Sequence, residues 1–540
     1  MTNYELRDFE SRFLSLVDLD PLSPTFGCGD RDFWHYRSVR GFPICTFQNL
    51  SFLFTLWAKY GDLSESKVDT FQQVSSANAL FWARSVGSDG SLQENYQGEA
   101  SFVGTAFSLY HVSSALQFLQ NKWSKSTVDI LLPAIEKSSS WLSKRESKFC
   151  ANQNCAAIAA LVNVSKLNGD SNLLKMAQRL LDQTYLMLDN EESWLAEYGG
   201  YDFGYTTVTL DYLARAHSVG SEMNTQFEEL AREAIKVLFD TISEFSPSGV
   251  NLGSRNTAFL LPFGIRYFGY LEPEKSSFLL QAIQSGIESG QVVDSKSLDD
   301  RYLCTYGSSF VQCFYLGELD SEGNCPVQPE IHWMPKAGYA VKRSINQDSV
   351  VQISGKRGGC VRVSGRMKET KFIPNFSVRT KEVVFSPSAF DSSVKCVYEV
   401  QDEVLKIVIS GFMKRWKYPL PLANSIMQLG ILFYQTIFRK FHFVTSRIDS
   451  ALRRRFIIGR GEGTVRWQRE IEVNESQLTI QDHIFSASPI QDFSQSPFTF
   501  AAQVNTSQYW FPMHFMKSFS GKVEQSDDRK HLHHSVSLEL

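Results

Sequence analysis

The sequence contains few of the features that assign a protein to a cofactor class. It has no glycine-rich phosphate-binding loop and no dinucleotide fingerprint, and its cysteines and histidines lack the paired spacing of a zinc site. We therefore predict neither a metal nor a nucleotide cofactor. The nine cysteines are scattered and odd in number, which favours free thiols in a reducing compartment over a disulfide framework.

An excess of charge of one sign is also missing. The formal net charge is −4, with 54 Lys and Arg against 58 Asp and Glu among 540 residues. This balance argues against a protein that binds nucleic acid with its whole surface. The stretch Met1–Glu10 contains acidic residues and no apolar segment, so it does not have the pattern of a signal peptide. The expected location is the cytoplasm.

Apolar residues recur with the period of an α-helix between about Phe47 and Leu316. The predicted helices span residues 47–60, 66–86, 101–120, 127–144, 150–167, 172–188, 206–218, 223–243, 275–288 and 305–317. Such a series, joined by short turns, favours an array in which each hairpin buries its apolar face against its neighbours. Because the helices share no fixed sequence period, we expect a closed (α/α) toroid rather than an open solenoid.

Short runs of alternating apolar and polar residues replace the helical pattern after Pro326. They are rich in valine and aromatic residues and lie at near-regular spacing, which is typical of an antiparallel β-sandwich. The predicted strands lie within 332–344 and at 349–354, 359–364, 381–385, 395–400, 405–409, 463–473, 477–484, 498–504 and 531–538. The predicted fold is therefore multidomain, α and β, with an N-terminal toroid of helical hairpins in residues 1–325 and an antiparallel sandwich in residues 326–540.

A basic segment, residues 414–460, interrupts the predicted sandwich. It holds ten Lys and Arg residues and a lone acid, Asp449. Its uncharged stretch Tyr418–Phe438 is long enough to span a bilayer, but two prolines and several polar side chains disfavour a transmembrane helix. Two interpretations are open. The segment lies on an anionic membrane surface, or it is a helical excursion from the sandwich with a solvated basic flank.

The stretch Glu197–Tyr205 packs three glycines, two acids and three tyrosines into a turn ahead of a helix. Glycines let the backbone approach a ligand closely. Tyr205 would project from the first helical turn, where unpaired N–H groups make the local potential positive. That position suits a catalytic phenol. The alternative is a glycine-rich connection between helices whose tyrosines pack against the core.

Several motifs, taken in order along most of the chain, resemble the heparinase II/III-like superfamily of polysaccharide lyases and uronyl C5-epimerases. They are Asp30–Tyr36, Asn152–Ala156, the Glu197–Tyr205 turn, Gly253–Thr257 and the strand that begins His332-Trp-Met-Pro-Lys. The resemblance implies an (α/α) toroid followed by an antiparallel β-sandwich. It also implies an acidic polysaccharide as substrate.

The same resemblance implies roles for single residues. Asn152 matches the family's neutraliser of the uronate carboxylate, and Tyr205 matches its catalytic tyrosine. Loss of the C5 proton creates an enolate-like dianion, so donors must face the carboxylate. Gln153 stands where a histidine usually follows the asparagine, and a glutamine cannot take a proton. The sandwich strand pair that is His-rich in the lyases carries Lys356 and Arg357 here, and either cation is the expected electrostatic partner.

Further candidates for sugar binding are acids, cations and aromatic residues in the same motifs. Arg31, Trp34 and His35 combine an indole that can stack on a sugar with donors for a carboxylate. The remaining candidates are Glu94, Glu99, Glu197, Tyr201 and Arg255. Each has a structural alternative, since acids also cap helices and satisfy turns, aromatic residues pack, and arginines lie solvated on surfaces.

We expect an enzyme that abstracts the C5 proton of a uronic acid in an acidic polysaccharide or its lipid-linked precursor. The reaction ends in β-elimination by a lyase or in re-protonation by a C5-epimerase. The predicted cytoplasmic location and the basic segment favour biosynthesis or modification of an exported glycan, such as a capsule, exopolysaccharide or O-antigen, at the inner membrane face. One alternative is a non-catalytic glycan-binding or scaffold protein, which the missing histidines favour. The other is a glycoside hydrolase that uses two carboxylates from among Glu94, Glu99, Glu197 and Asp202.

Overall fold

A computed structural model gives the fold of the chain. It describes residues 10–36, 41–317, 326–415, 463–495 and 521–540, apart from isolated positions within these ranges, and four positions between 425 and 433. The predicted strand at 498–504 and almost all of the basic segment 414–460 lie outside the described residues. Among the residues described, none of the helices combines the length and the apolar content that crossing a bilayer requires.

The N-terminal helices alternate between an inner and an outer layer. The inner helices are α2 (Leu50–Tyr60), α4 (Phe102–Leu119), α6 (Ala151–Asn168), α8 (Phe203–Val219), α10 (Phe263–Tyr267) and α12 (Asp300–Tyr315). The outer helices are α3 (Glu65–Ser85), α5 (Lys125–Leu142), α7 (Ser171–Tyr185), α9 (Asn224–Thr241) and α11 (Pro273–Glu288). A short helix, α1 (Arg31–Trp34), precedes them, and a small hairpin, β1 (Leu188–Asp189) and β2 (Trp194–Leu195), follows α7.

The inner helices form a closed ring. Each packs against the next inner helix along the chain, and α12 packs against α2. Helix α6 is buried from Ala151 to Ser165 because its residues are apolar or small on all sides. Outer helix α7 instead buries one stripe that includes Leu173, Ala177 and Leu180. The predicted toroid of helical hairpins is therefore confirmed.

The C-terminal strands form three antiparallel sheets. The first has the order β3 (Ile331–Met334), β4 (Tyr339–Arg343), β5 (Ser349–Ser354), β6 (Cys360–Gly365), β7 (Lys368–Ile373). The second has the order β12 (Lys414–Arg415), β9 (Val383–Ser386), β8 (Phe376–Thr380), β15 (Asp492–Gln495). The third has the order β10 (Lys395–Gln401), β11 (Val404–Phe412), β13 (Val465–Val473), β14 (Gln477–Ser486), β17 (His531–Glu539), β16 (Lys522–Gln525).

A single apolar core joins these sheets. Ile353 and Phe376 from the two smaller sheets share it with Ile407, Trp467 and Ile480 from the six-stranded sheet. Strand β13 alternates buried and more exposed positions along its length, as a strand with one face in a core must. The predicted antiparallel β-sandwich is confirmed.

The predicted elements agree with the structure at most positions, and the misses are short. Each predicted helix overlaps an observed helix with ends that differ by a few residues. The five-residue helix α10 was not predicted, although it completes the inner ring. Strands β7, β8, β15 and β16 were also missed, since each is only four to six residues long. Runs this short carry too few residues to establish a period.

Close packing of α10 against α8 gives a first testable prediction. A Cβ added at Gly264 would lie 2.3 Å from the carbonyl carbon of Leu210 and 2.5 Å from the amide nitrogen of Asp211. Both are backbone atoms of an inner helix, so they cannot rotate away. We expect Gly264→Ala to lower the free energy of unfolding by about 1–3 kcal/mol, measured by urea denaturation.

Gly307 in α12 provides the matched control for this substitution. The nearest atom to a Cβ built there is 3.4 Å away, on the side chain of Leu53. Since alanine is the better helix former, Gly307→Ala should be neutral or stabilising by up to about 1 kcal/mol. Equal losses of stability in the two variants would contradict the close approach of α10 to α8.

Candidate functional site

The starts of several inner helices meet at one end of the toroid, which we call the mouth. Arg301, in the first turn of α12, donates to Glu94 in the loop before α4, with Nη2 2.7 Å from Oε1. Asn152, in the first turn of α6, donates its backbone N–H to Glu197 in the loop before α8, at 2.8 Å. Helix N-termini present unpaired N–H groups and a positive potential. The mouth is therefore suited to anionic groups.

Glu197 is a fully buried carboxyl group beside the mouth. Its Oε1 accepts the backbone N–H of Asn152, and its Oε2 accepts a hydrogen bond from the Asn152 side-chain amide. Burial raises the pKa of Glu197 well above its ordinary value, and the nearby Asp202 adds to the rise. This environment favours the neutral carboxyl group. The Asn152 amide is engaged by Glu197, so its implied role towards a substrate carboxylate stays a proposal.

Asp202 ties the start of α8 to the loop before α10. It accepts from the backbone N–H of Tyr205 at 3.1 Å, from the Thr257 hydroxyl at 2.6 Å and from the backbone N–H of Arg255 at 2.8 Å. Burial raises the pKa of Asp202, while these hydrogen bonds lower it in part. Asp202 thus serves as the helix N-cap and fixes the backbone that carries Arg255.

Arg255 places a cation in the mouth. Its guanidinium carbon lies 4.0 Å from the centre of the Tyr198 ring, and the residue is 9% exposed. Its Nε is buried and has no hydrogen-bond partner among the described residues. Burial works to lower the pKa of Arg255, but the neighbouring Tyr198 and Tyr205 outweigh it, and the net shift is upward. The guanidinium is thus held charged over an aromatic ring.

Tyr205 is a buried phenol at the first turn of α8. Its ring meets that of Phe259 edge to face, with 6.0 Å between centres. Burial raises the pKa of Tyr205 well above its usual value, and the neighbouring Tyr302 and Tyr306 raise it further, while Arg255 opposes the rise. The resting phenol therefore keeps its proton.

Tyr198 is the residue of the turn that the sequence did not single out. Its backbone has φ +56°, in the left-handed region that tyrosine rarely adopts, and Gly199 follows with φ +85°. Its hydroxyl accepts a hydrogen bond from Gln153 Nε2 at 3.3 Å, while Gln153 Oε1 is buried without a partner in the described structure. Of the residues predicted as catalytic, Gln153 contacts Tyr198 and Tyr205 lies near Arg255.

The two acids before α4 differ in their contacts. Glu94 accepts from Arg301 at 2.7 Å and from the hydroxyl of Ser101, the N-cap of α4, at 2.7 Å. Glu99 folds back on the same loop and accepts the backbone N–H groups of Glu94 at 3.0 Å and Asn95 at 2.6 Å. Glu94 therefore reaches the mouth, whereas the Glu99 carboxyl holds its own loop in shape.

Glu99 gives a pH-dependent prediction. Burial and the neighbouring Glu94 raise the pKa of Glu99 to about 7 from an ordinary 4.5. A raised folded-state pKa contributes stability at low pH that is lost as pH rises through the folded value. We expect the free energy of unfolding to fall by up to about 3 kcal/mol between about pH 4.5 and pH 8 through this group. Glu99→Gln should lose that slope in urea titrations, and an unchanged slope would refute the assignment.

Tyr201 and Arg357 lie behind the mouth, where the toroid meets the sandwich. The Tyr201 hydroxyl is within 2.8 Å of the Thr241 hydroxyl, and its ring packs against Phe203. Arg357 donates to the carbonyl of Gly253 at 2.5 Å, in the loop that carries Arg255. Burial lowers the pKa of Arg357 to about 10. Both residues are almost fully buried, so they hold the site rather than line it.

The Arg31, Trp34 and His35 cluster makes its contacts elsewhere. Arg31 donates to the carbonyl of Ser15 at 3.2 Å, and the Trp34 indole donates to the carbonyl of Leu16 at 2.8 Å. The ring of His35 lies 5.3 Å from that of Trp34. These contacts attach α1 to the N-terminal segment, and a sugar-binding role for the cluster stays a prediction.

Thiols and potential metal ligands are dispersed among the described residues. The eight cysteines in the described ranges form no disulfide there. Within the same ranges, no group of three His, Cys, Asp or Glu side chains is arranged to hold a metal ion.

Several residues of the mouth were missed by the sequence analysis. They are Tyr198, Arg301, Tyr302 and Tyr306. Tyr198 stood inside the turn already selected, and the pair Gly199-Gly200 after it was the available signal for an unusual backbone. The other three belong to α12, and they reach the mouth only because the ring closes.

Solved structures with a similar fold are polysaccharide lyases and sugar epimerases. A xanthan lyase from Paenibacillus is 8% identical with a TM-score of 0.48, over 90% of this chain and 46% of that one. A variant of the chondroitin AC lyase of Streptomyces coelicolor A3 is 9% identical with a TM-score of 0.47, over 91% and 71%. A sugar epimerase from a ruminal bacterium is 12% identical with a TM-score of 0.42, over 58% and 98%.

These likenesses cover only part of some of the similar proteins and are weak in sequence. The chain spans about half the length of the xanthan lyase. No protein-family model matches the chain, and no curated protein sequence does. At such low identities the likeness concerns the fold and assigns neither an activity nor a residue role.

Proposed function

We propose that the protein is a carbohydrate-active enzyme that removes the proton beside the carboxylate of a uronic acid in an acidic glycan. The observation that carries this proposal is the Arg255 guanidinium, which is buried in the mouth and stacked on Tyr198. Two buried acids lie next to it, and burial raises the pKa of both Glu197 and Asp202. The Nε of Arg255 has no hydrogen-bond partner among the described residues, and a planar carboxylate fits the guanidinium fork.

The chemistry follows from the groups around that carboxylate. A carboxylate held by Arg255 can spread the negative charge that develops when the C5 proton leaves. Tyr205 lies close enough to Arg255 for the two to perturb each other's pKa values. A protonated phenol there can donate to the leaving glycosidic oxygen in a lyase, or to C5 in an epimerase. Arg301, held by Glu94, is a second cation at the same mouth.

The finer parts of the proposal rest on the sequence. We assign the toroid to residues 1–325 and the sandwich to residues 326–540. We place the substrate among acidic glycans made for export, or their lipid-linked precursors, with the basic segment 414–460 at an anionic membrane surface in the cytoplasm. Flotation of the purified protein with vesicles containing anionic lipid tests the last point. Recovery of the protein without the vesicles would reject membrane attachment.

Two other functions are weaker matches to the site. A glycoside hydrolase needs two carboxylates that face each other across the sugar, but Glu197 and Asp202 are fully buried. A non-catalytic glycan-binding protein would need Arg255 and would have no use for the phenols. It is the main alternative, because the histidines of the family pattern are absent from their expected positions.

A panel of uronic-acid polysaccharides incubated in deuterated water tests the proposal. Ultraviolet absorbance reports the unsaturated product of a lyase, and NMR reports deuterium at C5 and its configuration. Binding of the same panel is measured by calorimetry. Absorbance or deuterium incorporation supports an enzyme, and binding without either would favour the glycan-binding alternative. Absence of binding to every acidic polymer would refute the proposal.

A further inference from the structure

Two tyrosines flank Arg255 in the mouth, and they lie in different environments. Tyr205 is 9% exposed and packs edge to face on Phe259. Tyr198 is half-buried, and its hydroxyl accepts a hydrogen bond from Gln153. One phenol is therefore enclosed by apolar and aromatic groups, while the other meets solvent and a fixed donor.

Two neighbours of Tyr198, Gln153 and Arg255, stabilise negative charge on its oxygen. Gln153 donates to that oxygen from Nε2 at 3.3 Å, and the Arg255 guanidinium lies 4.0 Å from the ring centre. A donor and a cation both favour the ionised form of an acid as its proton leaves. Tyr205 is more deeply buried than Tyr198, and its burial and two neighbouring tyrosines raise its pKa although Arg255 opposes the rise. Pairs of groups whose environments differ in this way divide the acid and base roles between them.

The backbone of Tyr198 gives a second, independent observation. Its φ of +56° lies in the region that favours glycine, yet the residue at this position is a tyrosine. The N–H of Tyr198 donates to the carbonyl of Phe149 at 2.7 Å. Phe149 lies just before Asn152 and Gln153 in the sequence, so this hydrogen bond holds the Tyr198 backbone beside them. Residues held in sparsely populated backbone regions concentrate at functional sites. The conformation places the Tyr198 ring under Arg255, where an extended backbone would direct it elsewhere.

We infer that Tyr198 is the base that accepts the C5 proton and that Tyr205 is the acid that supplies a proton to the product. The inference rests on the proposed function and divides its chemistry between the two phenols. Gln153 is then a positioning residue, which takes the place of a histidine by acting through Tyr198 rather than on the substrate.

The proton and electron balance of this step is closed. The Tyr198 phenolate takes the C5 proton, and the C5–H electrons form the C4–C5 double bond. The C4–O bond breaks, and the leaving oxygen takes the proton of Tyr205. In an epimerase no C–O bond breaks, and the proton of Tyr205 is added to the opposite face of C5. Transfer of a proton from Tyr198 back to Tyr205 through water restores both residues.

The test separates proton removal from product formation. Wild-type protein, Tyr198→Phe and Tyr205→Phe are compared in deuterated water with the acidic oligosaccharide on which the wild type is most active. We expect Tyr198→Phe to lose both C5 exchange and product by at least about a hundredfold. Tyr205→Phe should lose product to a similar extent and still exchange C5–H, because Tyr198 meets solvent. Retained exchange in Tyr198→Phe, or lost exchange in Tyr205→Phe, would overturn the assignment.

Two controls make the result specific. Tyr60→Phe changes an exposed tyrosine at the C-terminal end of α2, away from the mouth, and should behave as wild type. Gln153→Leu should move the acidic limb of the pH–rate profile upward by on the order of one pH unit, because the donor to Tyr198 is lost. An unchanged acidic limb of the pH–rate profile would reject the positioning role of Gln153.

A wild type that neither exchanges C5–H nor forms product would refute the proposed function itself, and the division of roles would fall with it.

Discussion

An Arg255→Gln variant is expected to process an acidic glycan at least about a thousandfold less efficiently than the wild type. The guanidinium is buried in the mouth, and its Nε has no hydrogen-bond partner among the described residues. Glutamine keeps a hydrogen-bond donor but removes the charge that would stabilise the enolate-like intermediate. The loss should appear in kcat/KM and in the calorimetric affinity for the acidic oligosaccharide.

Two further substitutions show whether the effect depends on charge or on shape. Arg255→Lys keeps the positive charge and loses the planar fork, so its activity should fall between the wild type and Arg255→Gln. Arg232→Gln removes a half-exposed arginine on the outer helix α9 and should leave activity unchanged. An Arg255→Gln variant with more than about a tenth of wild-type activity would remove Arg255 from the mechanism.

An Asp482→Ala variant is expected to lose about 3–5 kcal/mol of the free energy of unfolding. Asp482 is buried in the sandwich and accepts from Arg469 Nε at 2.6 Å, from Arg469 Nη2 at 2.9 Å and from His534 Nδ1 at 2.9 Å. Removing the carboxylate leaves the Arg469 charge buried without its partner. Urea denaturation followed by tryptophan fluorescence measures the loss.

The stability that Asp482 contributes should depend on pH, and a surface ion pair of the same sheet provides a control. Burial alone would raise the pKa of Asp482, but Arg469 and His534 lower it. Its contribution to stability is therefore present above the ordinary Asp value and is lost as pH falls through the lowered one. Glu472, which pairs with Lys406 on the exposed face of the same sheet, is the control. Glu472→Ala should cost less than about 1 kcal/mol, and equal losses would contradict the burial argument.

The fold was largely predictable because its helices are long and strongly periodic. The segment at 101–120 became α4 (Phe102–Leu119), and the segment at 150–167 became α6 (Ala151–Asn168). Periodicity reports which side of a helix is apolar, and that is the information needed to build a ring of hairpins. It says nothing of α10, whose five residues make little more than one turn and are placed by contact with α8.

The site was predictable in part, for a different reason. Asn152, Gln153, Tyr205 and Arg255 were selected from three motifs, and the structure brings them together around the start of α8. Burial was not visible in the sequence. Glu197 was selected as a residue that could line a sugar site, yet it is fully enclosed and holds Asn152. Whether a carboxylate is exposed to solvent or is hydrogen-bonded to a buried amide depends on residues that are distant in the sequence.

Residues on α12 show the same limit more sharply. Arg301 and Tyr302 lie about a hundred positions after Tyr205 in the sequence, and no local pattern relates them. They reach Glu94 and the surroundings of Tyr205 only through closure of the ring. The pattern of a single sequence predicts each helix separately. The composition of the mouth depends on how many inner helices close the ring.

The packing of α12 against α2 also has a consequence during synthesis of the chain. The ribosome releases α2 early, but its neighbour on one side, α12, is made only after almost all of the other helices of the toroid. Until then α12 cannot cover the flank of α2 that carries Leu53, which faces Gly307 of α12. Surface left open in this way is where nascent chains bind chaperones or associate with one another. Stalled chains that end before residue 300 should therefore be far more dependent on chaperones than chains that end after residue 317.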